Sequence, residues 1–198
     1  MPRRTGPERQ AARKARLESH AAETSTAVVL NAAARFLEIR SRSVHEVRRH
    51  LTGAQYPAEL IEHVIERLLE LGMLDDRAFA RAWVESRDRA RPRGEQALRR
   101  ELALKGIERD VVAEVLLDRQ QAARDADADA DTDNLLAEGS ADARAAERLL
   151  AKRNATLARI DDVRVRRQRA YALLARSGFA PDVCREVAAR FVEGWNED

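Results

Sequence analysis

The groups that could do chemistry in this chain of 198 residues are few. The histidines are His20, His45, His50 and His63. His45 and His50 share a helical face poorly, which argues against a metal-binding pair. The lone cysteine, Cys184, falls on an apolar column and reads as a packed core thiol rather than a nucleophile. There is no glycine-rich phosphate loop and no Walker-type lysine. Asp127, Asp129, Asp131, Asp133 and Glu138 fall at the ligand spacing of an EF-hand loop. Thr132, however, stands where the sharp turn needs glycine, and Asn134 where an apolar residue normally packs, so a solvated linker is the better reading. No catalytic, cofactor-binding or metal-ligating residue is assigned, and neither an enzyme nor a cofactor is expected.

What remains is charge. Lys and Arg number 36 against 34 Asp and Glu, for a net charge of +2, and the only lysines are Lys14, Lys105 and Lys152. A ratio so skewed to arginine, with so many alanines, also fits a GC-rich genome, so every basic patch is discounted accordingly. Arg48 and Arg49 stand at columns matching Arg99 and Arg100. In the third copy of the pattern Tyr171 and Ala172 break the pairing, with Arg164, Arg166, Arg167 and Arg169 earlier. The densest cluster, Arg87, Arg89, Arg91 and Arg93, alternates through a loop holding Pro92 and Gly94. It suits phosphates and an acidic protein groove equally well. The chain has 4 Phe, 2 Trp and 2 Tyr, too few for a base-stacking platform, and most fall on apolar columns: Phe36, Tyr56, Phe79, Trp83 and Phe179. Phe79 and Trp83, one helical turn apart, read as core or inter-unit packing. Any nucleic-acid contact is expected to be electrostatic, salt-sensitive and weakly sequence-specific.

The elements that must carry these side chains are helices. Ala, Leu, Arg and Glu dominate, whereas only 8 Gly and 5 Pro are present. No apolar run is long enough to span a membrane, and Met1 to His20 lacks the apolar core of a secretory signal, so a soluble cytoplasmic protein is expected. Ser43 and Glu46 have capping-box spacing, Pro57 suits the first turn of a helix, and Gly53 and Gly72 suit helix ends. One pattern recurs three times. With Tyr56, Ile107 and Phe179 aligned, Leu51, Leu102 and Leu174 stand five residues before, and Leu60, Val111 and Val183 follow one turn after. Ile61, Val112 and Cys184 come next, and Val64, Val115 and Val187 complete the columns. The third copy is displaced by an acidic stretch, 125–142, which holds seven acids and no base. It adds no apolar column, and its removal is expected to leave the fold intact. The chain is therefore read as all-α, an elongated tandem array of three-helix units. A disordered basic arm covers 1–24, unit 1 covers 25–74, unit 2 covers 75–120, an acidic linker covers 121–143, and unit 3 covers 144–198.

The middle of the chain resembles the RecX family of recombination regulators. The resemblance rests on Leu68-Leu69-Glu70-Leu71-Gly72-Met73-Leu74-Asp75-Asp76, then Phe79-Ala80, Trp83-Val84-Glu85-Ser86-Arg87, Gly94, Arg99-Arg100-Glu101-Leu102 and Lys105-Gly106-Ile107. Helix ends and caps account for much of this motif: Gly72 and Gly106 close helices, Asp75 or Asp76 caps the next, and Phe79 with Trp83 seals the joint. The resemblance implies a non-enzymatic protein that lodges in the groove of the RecA recombinase filament on single-stranded DNA. There it would inhibit the ATPase, coprotease and strand-exchange activities. A monomer is expected. Arg48, Arg49, Arg87, Arg91, Arg93, Arg99, Arg100 and Lys105 are the contact candidates. Glu95-Gln96-Ala97 departs from the family, in which basic residues are common after Gly94, and the long acidic tether is expected to loosen docking of the third unit. The alternative is a helical DNA-binding protein that acts without the recombinase, its second helices entering a groove.

Overall fold

A computed structural model describes residues 25–128 and 140–193, in which every regular element is a helix. In order these are α1 (Thr26–Glu38), α2 (Val44–Gly53), α3 (Ala58–Glu70), α4 (Asp76–Ala90), α5 (Glu95–Leu104), α6 (Arg109–Ala128), α7 (Ala141–Ala151), α8 (Asn154–Leu157), α9 (Val163–Arg176) and α10 (Pro181–Glu193). They form a tandem array of helical modules: α1–α3, α4–α6, and α7–α10, the last carrying the one-turn α8 as an addition. The chain divides into two compact parts, Met1–Phe79 and Ala80–Asp198. The basic arm assigned to 1–24 and the centre of the acidic stretch, 129–139, lie outside the described residues.

In the first part, α1, α2 and α3 each give one apolar face to a core of Val29, Ala33, Val47, Leu51, Ile61, Val64, Ile65, Leu68 and Leu74. The capping box is complete: the Glu46 amide donates to Ser43 Oγ (3.2 Å), and the Ser43 amide donates to Glu46 Oε2 (3.4 Å). Pro57 sits at the N-cap of α3, one residue ahead of the first turn. The two neighbouring aspartates divide their work. Asp75 caps α4, its Oδ1 accepting from the Ala78 amide at 2.9 Å, while Asp76 Oδ1 accepts from the Val44 amide at 2.8 Å and ties α4 to α2.

The threefold pattern is a repeated backbone device. The carbonyls of Leu51, Leu102 and Leu174 accept from the amides of Tyr56 (3.3 Å), Ile107 (3.1 Å) and Phe179 (3.4 Å). The residue before each of those amides is left-handed: Gln55 (φ 66°), Gly106 (φ 75°) and Gly178 (φ 84°). This is the Schellman closure, which satisfies a carbonyl of the last turn and swings the chain into the next helix. All three leucines are fully buried. Gly53 is the last helical residue of α2 and does not itself close it; Gln55 does, at the position where the other two modules use glycine. An L side chain in this conformation is strained by ~1–2 kcal/mol. Gln55→Gly is therefore expected to stabilise the first part by about 0.5–1 kcal/mol, once the looser unfolded chain is allowed for. Urea unfolding of the variant checks this.

In the second part, the third module is fixed on the second at several points. The Gly94 amide donates to the Ser177 carbonyl at 3.1 Å. A Cβ on Gly94 would meet the Gly178 carbonyl oxygen at 2.2 Å, so only glycine permits this approach. Arg119 donates through Nε and Nη2 to Asp88 (2.9 and 3.0 Å) and through Nη1 to Asp142 (2.7 Å). The Asp142 carboxylate also accepts from the Glu95 amide (2.9 Å to Oδ2), so it serves α5, whose N-cap Gly94 has no side chain to offer. Gln120 Oε1 accepts from the Ala141 amide at 2.9 Å. Lys152 Nζ donates to the carbonyls of Arg89 and Ala90 in the last turn of α4.

These contacts correct the picture of a loose tether. Helix α6 runs on to Ala128, into the stretch assigned to the linker. At the linker's other end, Ser140 caps α7 by accepting from the Ala143 amide, and Ala141 is buried. Residues 140–142 are thus structural, and a deletion reaching Asp142 removes a bond to Arg119 and a cap of α5.

Cys184 lies in the core of the third module with Leu150, Leu174, Phe179 and Val187, its Sγ donating to the Phe179 carbonyl at 3.6 Å. Burial pushes its thiol pKa up, helped by the charges of Asp182 and Asp142. The fold keeps this thiol neutral where the unfolded chain ionises it, so its contribution to stability is complete below the ordinary thiol pKa of 9.0 and falls as pH rises above it. A disulfide reagent is expected to titrate Cys184 only after denaturation, and stability to decline in alkali beyond that point; rapid native-state labelling would contradict the placement.

Candidate interaction surface

The basic candidates separate by what holds them. Arg48, on α2, is spent within its own module: Nε and Nη2 donate to the two carboxylate oxygens of Glu62 at 2.7 and 2.8 Å. Those hydrogen bonds raise the Arg48 pKa and lower that of Glu62. Arg99 is paired with Glu95 one turn back on α5 at 2.7 Å, and Arg100 Nε donates to the Gln96 carbonyl at 3.2 Å. Arg49, Arg91, Arg99 and Arg100 are exposed. Matching sequence columns therefore deliver exposed arginines at Arg49 and Arg100, while Arg48 and Arg99 each carry a glutamate with them.

Three candidates come together around one ring. Trp83 on α4 lies half-buried between two cations, the Arg87 guanidinium carbon 4.4 Å and the Lys105 Nζ 4.8 Å from the ring centroid. The indole Nε1 donates to Glu101 Oε2 at 2.9 Å, and Arg87 Nε donates to the same oxygen at 2.6 Å. Arg93 joins from the loop before α5, its Nε 3.7 Å from Glu101 Oε1. Trp83, expected to pack in the core or between units, is thus half-buried at the centre of a charged cluster, while Phe79 is buried as expected. Trp83 and Glu101 are the members that residue-by-residue reasoning missed. The signal was present in the spacing: Trp83 with Arg87, and Glu101 with Lys105, are i,i+4 pairs that share a helix face.

A second concavity in this part, about 480 Å³, is walled by Arg81, Asp88, Asp118, Arg119 and Arg148 over a floor that includes Val84. Arg81 pairs with Asp118 at 2.7 Å, and Arg119 and Arg148 both face Asp88. Among the described residues no cluster of His, Cys, Asp and Glu is arranged to hold a metal ion, and no helix is long and apolar enough to cross a membrane.

Comparison with known proteins places this geometry. Residues 30–68 match the domain family described as RecX, first three-helix domain, and residues 75–116 match RecX, second three-helix domain. The Regulatory protein RecX of Mycobacterium avium is 35% identical over 154 residues, which are 77% of this chain and 78% of that protein. The chain belongs to the RecX family of regulatory proteins. Another relative, Regulatory protein RecX of Prosthecochloris aestuarii, is 40% identical over 102 residues, 52% of this chain and 68% of its own. The crystal structure of RecX from Lactobacillus salivarius shares the fold, with a TM-score of 0.64 at 18% identity over 83% of this chain and 95% of that one. The whole Trp83 cluster falls within the second RecX domain. The first two helical modules correspond to the two matched domains.

Proposed function

We propose that this RecX-family chain binds the RecA recombinase filament on single-stranded DNA and restrains it without catalysis, lowering its ATPase, coprotease and strand-exchange activities. The observation that supports this best is the coincidence of the family signature with the half-buried cluster of Trp83, Arg87, Arg93 and Lys105 in the second module. A tryptophan framed by arginines is the kind of anchor that dominates protein interfaces. Arg49, Arg91, Arg99 and Arg100 are proposed as surrounding contacts that steer the approach of a negatively charged assembly. Arg48, held by Glu62, is a weaker contributor. The protein is proposed to act as a monomer in the cytoplasm.

The test is a titration of RecA-driven ATP hydrolysis on single-stranded DNA. Inhibition at concentrations where the protein leaves bare DNA unbound supports the proposal. Tight binding to bare DNA with the recombinase untouched favours a DNA-binding protein that acts alone. Reversing Arg99 and Arg100 to Glu is expected to weaken inhibition about tenfold, because like charges set against an acidic surface cost up to several kcal/mol. Both side chains are exposed, so circular dichroism should stay helical; full inhibition by the double variant would remove the pair from the surface.

A further inference from the structure

We propose that the Trp83 cluster is a receptor for one carboxylate of an acidic protein segment, and that Glu101 is the internal carboxylate already occupying half of it. Two cations, Arg87 and Arg93, converge on the Glu101 carboxylate, and a third, Lys105, lies over the same indole. Glu101 spends Oε2 on both the Trp83 indole and Arg87. Its other oxygen stands 3.7 Å from Arg93 Nε, beyond a hydrogen bond, and that nitrogen is buried with no hydrogen-bond partner. A recessed charged donor left unsatisfied is an unfavourable arrangement unless something completes it. The side chains remain reachable: Arg93 keeps 37% of its side chain exposed, and Arg87 27%.

The chemistry favours a carboxylate over a nucleic-acid phosphate. Glu101 shows that a flat, two-oxygen acceptor fits against the indole edge and the guanidinium together. A phosphodiester is tetrahedral rather than flat, and the sugars that flank it on both sides hinder its entry into a recess beside the indole. An aspartate or glutamate on a flexible segment can enter singly. The inference deepens the reading of this chain as one that acts on a protein filament, and it rests on that reading only for the partner's identity.

The experiment uses the full chain and two labelled probes of equal charge, an oligoglutamate peptide and an oligothymidylate, followed by anisotropy at low salt. The peptide is expected to bind saturably and more tightly than the oligonucleotide. Arg93→Gln should weaken peptide binding at least about fivefold, because one charged donor of the receptor is gone. Glu101→Gln, which empties the cluster of its own negative charge, should tighten it by a similar factor, and Arg35→Gln on α1 should leave it unchanged. An equal or stronger response from the oligonucleotide, an Arg93→Gln variant that binds the peptide like wild type, or weaker binding by Glu101→Gln would each overturn the proposal. Recombinase inhibition is scored separately. Inhibition without peptide binding rejects this receptor alone, and peptide binding without inhibition rejects the filament reading alone.

Discussion

Replacing Gly94 by alanine is expected to unseat the third helical module from the second. The added methyl would lie 2.2 Å from the Gly178 carbonyl oxygen and 2.4 Å from the Phe179 amide nitrogen, and both are backbone atoms that no rotamer change can move aside. Relief requires separating α5 from the turn between α9 and α10, which also breaks the bond from the Gly94 amide to Ser177. The cost should reach at least about 3 kcal/mol, at the upper end of overpacking effects. The melting temperature of the second part should fall by roughly 10 °C. Gly53→Ala is the control: nothing lies within 4 Å of the methyl it would add, so this change should be neutral or mildly stabilising. Equal effects from the two substitutions would show that the close approach does not matter.

Arg119→Ala should be comparably damaging for an electrostatic reason. Only 9% of the Arg119 side chain is exposed, and its partners Asp88 and Asp142 are 20% and 14% exposed. Burial by itself would lower the arginine's pKa, but the hydrogen bonds with Asp88 and Asp142 outweigh it and raise the value, so the guanidinium stays charged at every usable pH. Truncation leaves the largely buried Asp142 without a counter-ion and Asp88 with only the longer contact to Arg148 at 3.7 Å, a loss of about 3 kcal/mol. Arg119→Lys restores the charge but not the fork that spans two carboxylates, and should recover only part of the stability. Chemical denaturation of the three proteins orders them as wild type, Lys, Ala. An alanine variant as stable as wild type would mean that the bridge contributes nothing net.

The repeat was legible because it is written in local, apolar terms. A leucine at the third residue from a helix end, a left-handed residue, and an apolar residue beyond it are all set within one turn, and the columns at Leu51, Leu102 and Leu174 follow directly. The capping box at Ser43 was legible for the same reason. What escaped depends on partners distant in sequence. Asp142 sits in an acidic run and looks solvated until Arg119 and the Glu95 amide are brought to it from other helices. Gly94 reads as an ordinary turn glycine, and only its juxtaposition with Gly178 explains why nothing larger fits. The helical spacing of Trp83 with Phe79 reads as core or inter-unit packing; its indole N–H needs an acceptor, and Glu101, from the next helix, supplies it. Among the basic candidates, column matching found arginines but could not tell Arg48, already claimed by Glu62, from Arg49.

The pairing of Arg119 and Gln120 with Asp142 and Ala141 has one more consequence. It clamps together the two ends of the intervening stretch, so whatever chain runs between them contributes only a slowly growing loop-closure entropy to folding. A fluorescent reporter spliced between residues 129 and 139 is therefore expected to leave the flanking helices in register.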